Sequence, residues 1–133
     1  AEGMKKPFMS VTMLQNFPPS VWLNGMALHL DGEAAADTQL VIGFHFRDIG
    51  VRHAIEIRNG VAQVYEQVPD TLALDAEMEM DKTFLDRILA GEAGLLKGMA
   101  SGDVALNGSK LDVAKFLSVL DPADIGEQGL TVR

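Results

Sequence analysis

Between residues 72 and 90 the hydrophobic period changes once, and that change restricts the fold more than any other feature of the chain. Leu72, Leu74, Ala76, Met78 and Met80 alternate with Ala73, Asp75, Glu77 and Glu79. A period of two places apolar groups on one side of an extended segment and acids mostly on the other. At Asp81 the spacing becomes helical, with Phe84, Leu85, Ile88 and Leu89 on one side. Asp81 is positioned to cap the free N–H groups, and Gly91 to end the helix in a left-handed conformation. A half-buried strand therefore runs straight into an amphipathic helix. Beyond it the sequence predicts a short apolar piece at 95–99, a turn at Ser101-Gly102-Asp103 and a brief strand at 104–106. Asn107-Gly108-Ser109 then starts a last helix whose buried side can draw on Leu111, Val113, Ala114, Phe116, Leu117 and Leu120.

The preceding half supplies the rest of a sheet. Ser10 can cap a short helix containing Val11, Leu14 and Phe17, which Pro18-Pro19 ends because neither proline offers an N–H and Pro18 disfavours a helical Phe17. A second helix begins at Pro19 or Ser20, with apolar positions Val21, Trp22, Met26, Leu28 and Leu30, and Asp31-Gly32 stops it. A linker at 33–37 leads to a meander. Leu40, Ile42, Phe44 and Phe46 alternate with Val41, Gly43, His45 and Arg47, and 48–50 form a turn. His53, Ile55 and Ile57 take the core side of the second strand, and Asn59-Gly60 is a two-residue hairpin signal. A third strand over 61–67 presents Ala62, Val64 and Glu66 on one face, and Pro69-Asp70 breaks pairing before the strand at 72–80. This order predicts an α+β domain, with an antiparallel, mostly meander sheet of about five strands covered on one face by helices. Residues 1–133 read as one domain with its core at about 20–121; residues 1–8 and 122–133 read as loose ends.

Composition narrows the function. A chain of 133 residues can bury about two-thirds of the surface its unfolded form exposes, enough for a sizeable core. With 47% hydrophobic and 23% charged residues it is globular rather than disordered. No apolar run reaches the roughly 18–20 residues a spanning helix needs, so no transmembrane segment is expected. Eleven basic residues face nineteen acidic ones, net −8, with no basic cluster beyond Lys5-Lys6. That balance argues against nucleic acid and against a constitutive anionic membrane surface. The absence of cysteine removes disulfides, thiolate nucleophiles and Cys-ligated metals, and leaves the compartment open between bacterial cytoplasm and periplasm. No signal-peptide pattern is visible, and a start at Ala1 reads as a cut.

No catalytic signature emerges. His45 and His53 lie on successive strands, yet alternation puts them on opposite faces, and His29 sits on a separate helix. Without H-E-x-x-H or carboxylate–His spacing, no metal site is expected. Asp75, Glu77 and Glu79 read as a solvated strand face. The serines lack G-x-S-x-G, and the glycines at 91–108 form neither a dinucleotide nor a phosphate loop, so no catalytic residue and no cofactor is expected. What remains is apolar supply: seven Met and six Phe against one Trp and one Tyr. Met adapts to irregular shapes, suiting either a core or a site for hydrocarbon.

The order of strand, "DKTFLDRILAGEAGLLKGMASGDVALNGS" and closing helix resembles the sterol carrier protein type 2 fold. With "WLNGMALHLDGEAAA", "FHFRDIG" and "IRNGVAQV" in front, the chain is similar to the C-terminal domain of bacterial alkyl sulfatases over roughly Val21 to Asp121. The resemblance implies a tunnel between sheet and helices that holds an apolar small molecule such as an alkyl sulfate, fatty acid or sterol. Trp22, Met26, Phe44, Phe46, Met78, Met80, Phe84, Ile88, Met99 and Phe116 are its candidate lining, though the same side chains read equally well as core. It also implies a zinc-hydrolase domain elsewhere in a parent protein, because nothing here matches H-x-H-x-D-H. Any preference for an anionic head group then has to come from Arg47, Arg58 or Lys97, or from that other domain. The alternative is a docking domain with a filled core that binds no lipid and packs on a catalytic neighbour or on a second copy as a homodimer.

Overall fold

The computed structural model describes residues 14–126; the expected Ser10-capped helix start and the last seven residues lie outside them. Helix α1 (Pro19–Leu28) leads to strands β1 (Leu40–Phe46), β2 (Val51–Arg58) and β3 (Val61–Tyr65). Then follow β4 (Ala76–Met80), α2 (Lys82–Leu89), α3 (Leu95–Ser101), β5 (Ala105–Gly108), α4 (Lys110–Ser118) and a 3-10 turn at Pro122–Ile125.

The five strands form one sheet in the order β3-β2-β1-β4-β5. β1, β2 and β3 are the expected meander, but β4 lies beside β1 and runs parallel to it, so the sheet is mixed rather than antiparallel throughout. β5 returns antiparallel on the outside of β4. Alternation could not reveal this, because a strand with one buried face shows the same period of two in either direction. The start of the parallel pair is fixed by Asp75. Its backbone N donates to Val41 O at 2.8 Å, while its carboxylate accepts from Val41 N at 2.8 Å. Leu72 and Leu74, expected within this strand, precede it. Leu74 covers the outer side of the sheet at Gly43, where a Cβ would stand 2.7 Å from Leu74 Cδ1.

The inner face carries Leu40, Ile42, Phe44 and Phe46 from β1, Ile55 and Ile57 from β2, and Ala76, Met78 and Met80 from β4. All four helices cover that face. Trp22, Leu23 and Met26 come from α1, Leu85 and Ile88 from α2, Leu95 from α3, and Val113 and Phe116 from α4. Phe44 is the centre of this layer, with Trp22 edge-on at 5.5 Å and Phe116 tilted at 5.9 Å. The last helix buries fewer positions than expected: Leu111 and Ala114 face solvent.

The outer face is polar and laced with pairs. His45 meets Glu79 at 3.1 Å and Arg52 meets Glu77 at 3.7 Å. Glu56 accepts from Arg58 and from the Tyr65 hydroxyl, each at 2.7 Å. Such exposed pairs contribute little to stability individually, but they keep this face wet and assign the helices to the other.

Two helix starts show where local signals hold and where they fail. Ser109 caps α4 by accepting from Asp112 N at 3.1 Å. Asp81 occupies the cap position of α2 without bonding its free amides. Asp48, in the β1–β2 turn, reaches across instead and accepts from Lys82 N at 2.6 Å and Thr83 N at 3.3 Å. Gly91 does end the helix with φ +80°. Because a lost N-cap costs about 1 kcal/mol, Asp48→Ala should lower stability by that amount in chemical denaturation. Asp81→Ala should stay within about 0.5 kcal/mol of the unmodified chain; the reverse ranking would refute a cap supplied from the turn.

Candidate ligand groove

Where the segment at 14–18 and α1 approach α2, the helices do not close. The gap is a groove of about 370 Å³. Leu14, Phe17, Pro18, Val21, Trp22 and Gly25 form one wall, Lys82, Leu85, Asp86 and Leu89 the other, and Asp124 stands at one end. Its floor is continuous with the core, since Leu14, Trp22 and Leu85 are buried. Its rim is open: Phe17 is 38% and Val21 53% exposed. An apolar trough with a few convergent polar groups is the usual form of a small-molecule site, and the volume lies in the usual range of roughly 300–1,000 Å³.

Two polar contacts set the shape. Lys82 and Asp86, one turn apart on α2, form a buried ion pair at 2.5 Å, and Lys82 Nζ also donates to Leu14 O at 2.9 Å. The ammonium thus ties the segment before α1 to α2 and holds the walls at a fixed distance. At the other end Trp22 Nε1 donates to the carbonyl of Asp124 at 2.7 Å, which leaves the ring free to serve both core and groove. This bond also orders Pro122–Ile125, expected as part of a loose tail.

The ten residues predicted as lining fall mostly elsewhere. Met26, Phe44, Phe46, Met78, Met80, Phe84, Ile88 and Phe116 belong to the packed core, and Met99 lies partly buried against it. Of the ten, Trp22 lines this groove. The groove residues that sequence reasoning missed, Leu14, Phe17, Val21, Leu85 and Leu89, come from two helical stretches some sixty residues apart. The available signal was that α1 is apolar on several sides, with Val21 next to Trp22. Arg47, Arg58 and Lys97 are not among the lining residues.

The histidines behave as expected on the sheet. Phe44 pairs with His53 and His45 with Arg52, so the two imidazoles occupy opposite faces. His53 is buried and its Nδ1 donates to Glu66 O at 2.8 Å. His29, at the end of α1, meets Asp124 at 2.9 Å with Asp121 nearby. These are the described residues that could offer three ligand atoms to a metal, all within 4.8 Å of one another. His29 and Asp121 are exposed, and the His29–Asp124 ion pair accounts for the arrangement without an ion. The hydrogen bond to Asp124, reinforced by that carboxylate's charge and by Asp121, raises the His29 pKa above its ordinary 6.5. On the outer face, bonds from Tyr65 and Arg58 depress the Glu56 carboxyl, and His45 depresses Glu79.

Residues 7–126 match the profile described as alkyl sulfatase C-terminal. The chain belongs to the alkyl sulfatase C-terminal family. A linear primary-alkylsulfatase from Pseudomonas sp. (strain ATCC 19151) is 36% identical over 130 residues, 98% of this chain and 24% of that protein. The chain therefore spans about a quarter of the curated relative it matches. Among solved structures, the stereoselective inverting sec-alkylsulfatase Pisa1 from Pseudomonas sp. superposes with a TM-score of 0.66 at 24% identity, over 80% of this chain and 17% of that one. A sterol carrier protein 2 crystal structure gives a TM-score of 0.58 at 16% identity, over 81% and 95% of the two chains. The alkyl sulfatase C-terminal domain thus has a sterol-carrier-like α+β fold: an open five-stranded sheet under four helices.

The raised His29 pKa has a definite sign in folding. Its contribution is complete below the ordinary imidazole value near 6.5 and is lost as pH rises through the higher folded-state value. Melting temperatures of the unmodified chain and His29→Gln, compared from pH 5.5 to 9, should differ most at the acid end and converge at the alkaline end. A difference that grows with pH would contradict the pairing.

Proposed function

We propose that this domain holds the hydrocarbon tail of an alkyl sulfate or related amphiphile without performing chemistry on it. The observation that carries the reading is the α1–α2 groove, apolar from buried floor to exposed rim, in a member of the alkyl sulfatase C-terminal family. Six carbons of benzene fit a cavity of about 150 Å³, so this groove has room for a chain on the order of ten carbons. Burial of about 0.8 kcal/mol per methylene supplies the affinity. Sulfate-ester hydrolysis then belongs to the rest of a longer parent, in a zinc-hydrolase domain whose ligands are not in this chain; none of its three histidines stands in an H-x-H-x-D-H pattern. Trp22, Leu85 and the rim residues Phe17 and Val21 take the place of the lining expected at Met78, Phe84 and Phe116.

A second reading is favoured by one observation. Phe44, Met78 and Phe116 are fully buried and mutually packed, which fits a filled interior whose exposed groove docks on a neighbouring domain or a second copy. Ligand titration separates the two. Because Trp22 is the single tryptophan and lines the groove, its fluorescence should report binding directly. Octyl, nonyl and decyl sulfates below their micelle concentrations should saturate the signal, with affinity rising about fourfold per added methylene. Val21→Asp, at an exposed rim position, should weaken decyl sulfate binding at least tenfold while leaving the melting temperature nearly unchanged. A signal without saturation or chain-length dependence would favour docking.

A further inference from the structure

The charges around the groove are unequal. Among its described lining residues one cation, Lys82, stands with two carboxylates, Asp86 and Asp124. The cation is already committed, with its ammonium bonded to Asp86 and to Leu14 O; the two side chains are only 8% and 2% exposed. An incoming anion could take Lys82 only by displacing Asp86, which would leave a buried carboxylate without its counter-ion, a strongly unfavourable state. Asp124 adds a further negative charge at the end of the groove, its side chain 17% exposed. His29 compensates that charge only while protonated, and Asp121 beside it is acidic as well. The basic residues that might have attracted an anion are engaged elsewhere: Arg58 with Glu56, Arg47 with Asp81. Lys97 borders a separate depression with Arg87 and Asp103.

From this arrangement we infer that the groove selects on head-group charge and takes a neutral, hydroxyl-ended amphiphile in preference to the anionic sulfate of the same chain length. The inference rests on the tail-binding reading and specifies its ligand. A hydroxyl both donates and accepts, so it can bond a carboxylate oxygen at the mouth; a sulfate ester monoanion only accepts and meets like charge there. Hydrolysis of R–O–SO₃⁻ by water gives R–OH and hydrogen sulfate. The ligand favoured by this groove is therefore of the product's class, a primary alcohol, and the domain acts as a receiver for the released alcohol more than as a loader of the sulfate.

The test uses the 133-residue chain at pH 8.5 and low ionic strength, with 1-decanol and decyl sulfate, each below its solubility or micelle limit, read by Trp22 fluorescence. Decanol should bind about three- to tenfold more tightly than decyl sulfate. The gap should narrow in 0.5 M salt, which screens the mouth carboxylates. It should narrow likewise in Asp124→Asn, which removes the charge but keeps the backbone carbonyl that accepts from Trp22. Decyl sulfate binding as tightly as decanol, or a gap indifferent to both salt and Asp124→Asn, would overturn the charge selection while leaving tail binding intact. Absence of saturable binding by either ligand removes the tail-binding reading and this inference together.

Discussion

The central strand β1 is the constraint on which the rest of the structure depends. Its inward row, Leu40, Ile42, Phe44 and Phe46, is buried along its whole length, with β2 antiparallel on one side and β4 parallel on the other. Phe44 sits between Trp22 of α1 and Phe116 of α4, so one ring fixes how two helices distant in sequence cover the same face. Aromatic contacts of this edge-on and tilted kind add specificity to plain area burial. The outer side of the same strand carries His45 opposite Arg52 and Glu79, which leaves that face to water. A single alternation thus decides both where the core lies and where it cannot.

Polar groups then do work that apolar packing could not. Asp75 bonds both the N–H and, through its own amide, the carbonyl of Val41, and so sets the register of the parallel pair at its first step. Asp48 caps α2 from the β1–β2 turn, tying the helix to the strand pair beneath it. Lys82 and Asp86, immediately inside that helix, hold the backbone at Leu14. The three acids join segments that lie 34, 35 and 4 residues from their partners, and together they place α2 relative to the sheet and the N-terminal wall relative to α2.

Much of this was legible, and the exceptions share a cause. The change of period at Asp81, the glycine ending α2, the hairpin at Asn59-Gly60 and the Ser109 cap are local signals, read from neighbours within a few residues. The separation of His45 from His53 followed from parity alone. Strand direction did not, because Ala76, Met78 and Met80 alternate identically whether β4 runs with or against β1. Asp81 has the right identity for a cap, but Asp48 approaches through the turn and takes the amides, a competition that no window around Asp81 can display. The groove escaped for the same reason. Val21 and Phe17 look like ordinary exposed apolar residues until α2, sixty residues later, is set opposite them. The family resemblance located the fold but not the space within it.

That last difference has a packing explanation. The interval between sheet and helices is closed by large side chains, with Phe44, Phe46, Met78, Met80 and Phe116 all at zero exposure, and interiors packed at this density leave few voids larger than a water molecule. Room for a guest can persist only where something prevents two apolar surfaces from meeting. Between α1 and α2 that obstacle is the Lys82–Asp86 pair together with the carbonyl of Leu14: these groups must keep their hydrogen bonds, and collapse of the walls around them would strand a charge. The buried ion pair therefore acts as a spacer. Its presence in an otherwise apolar seam makes sense less as a source of stability than as the feature that holds the groove open, and it does so with a cation already neutralised by its neighbour.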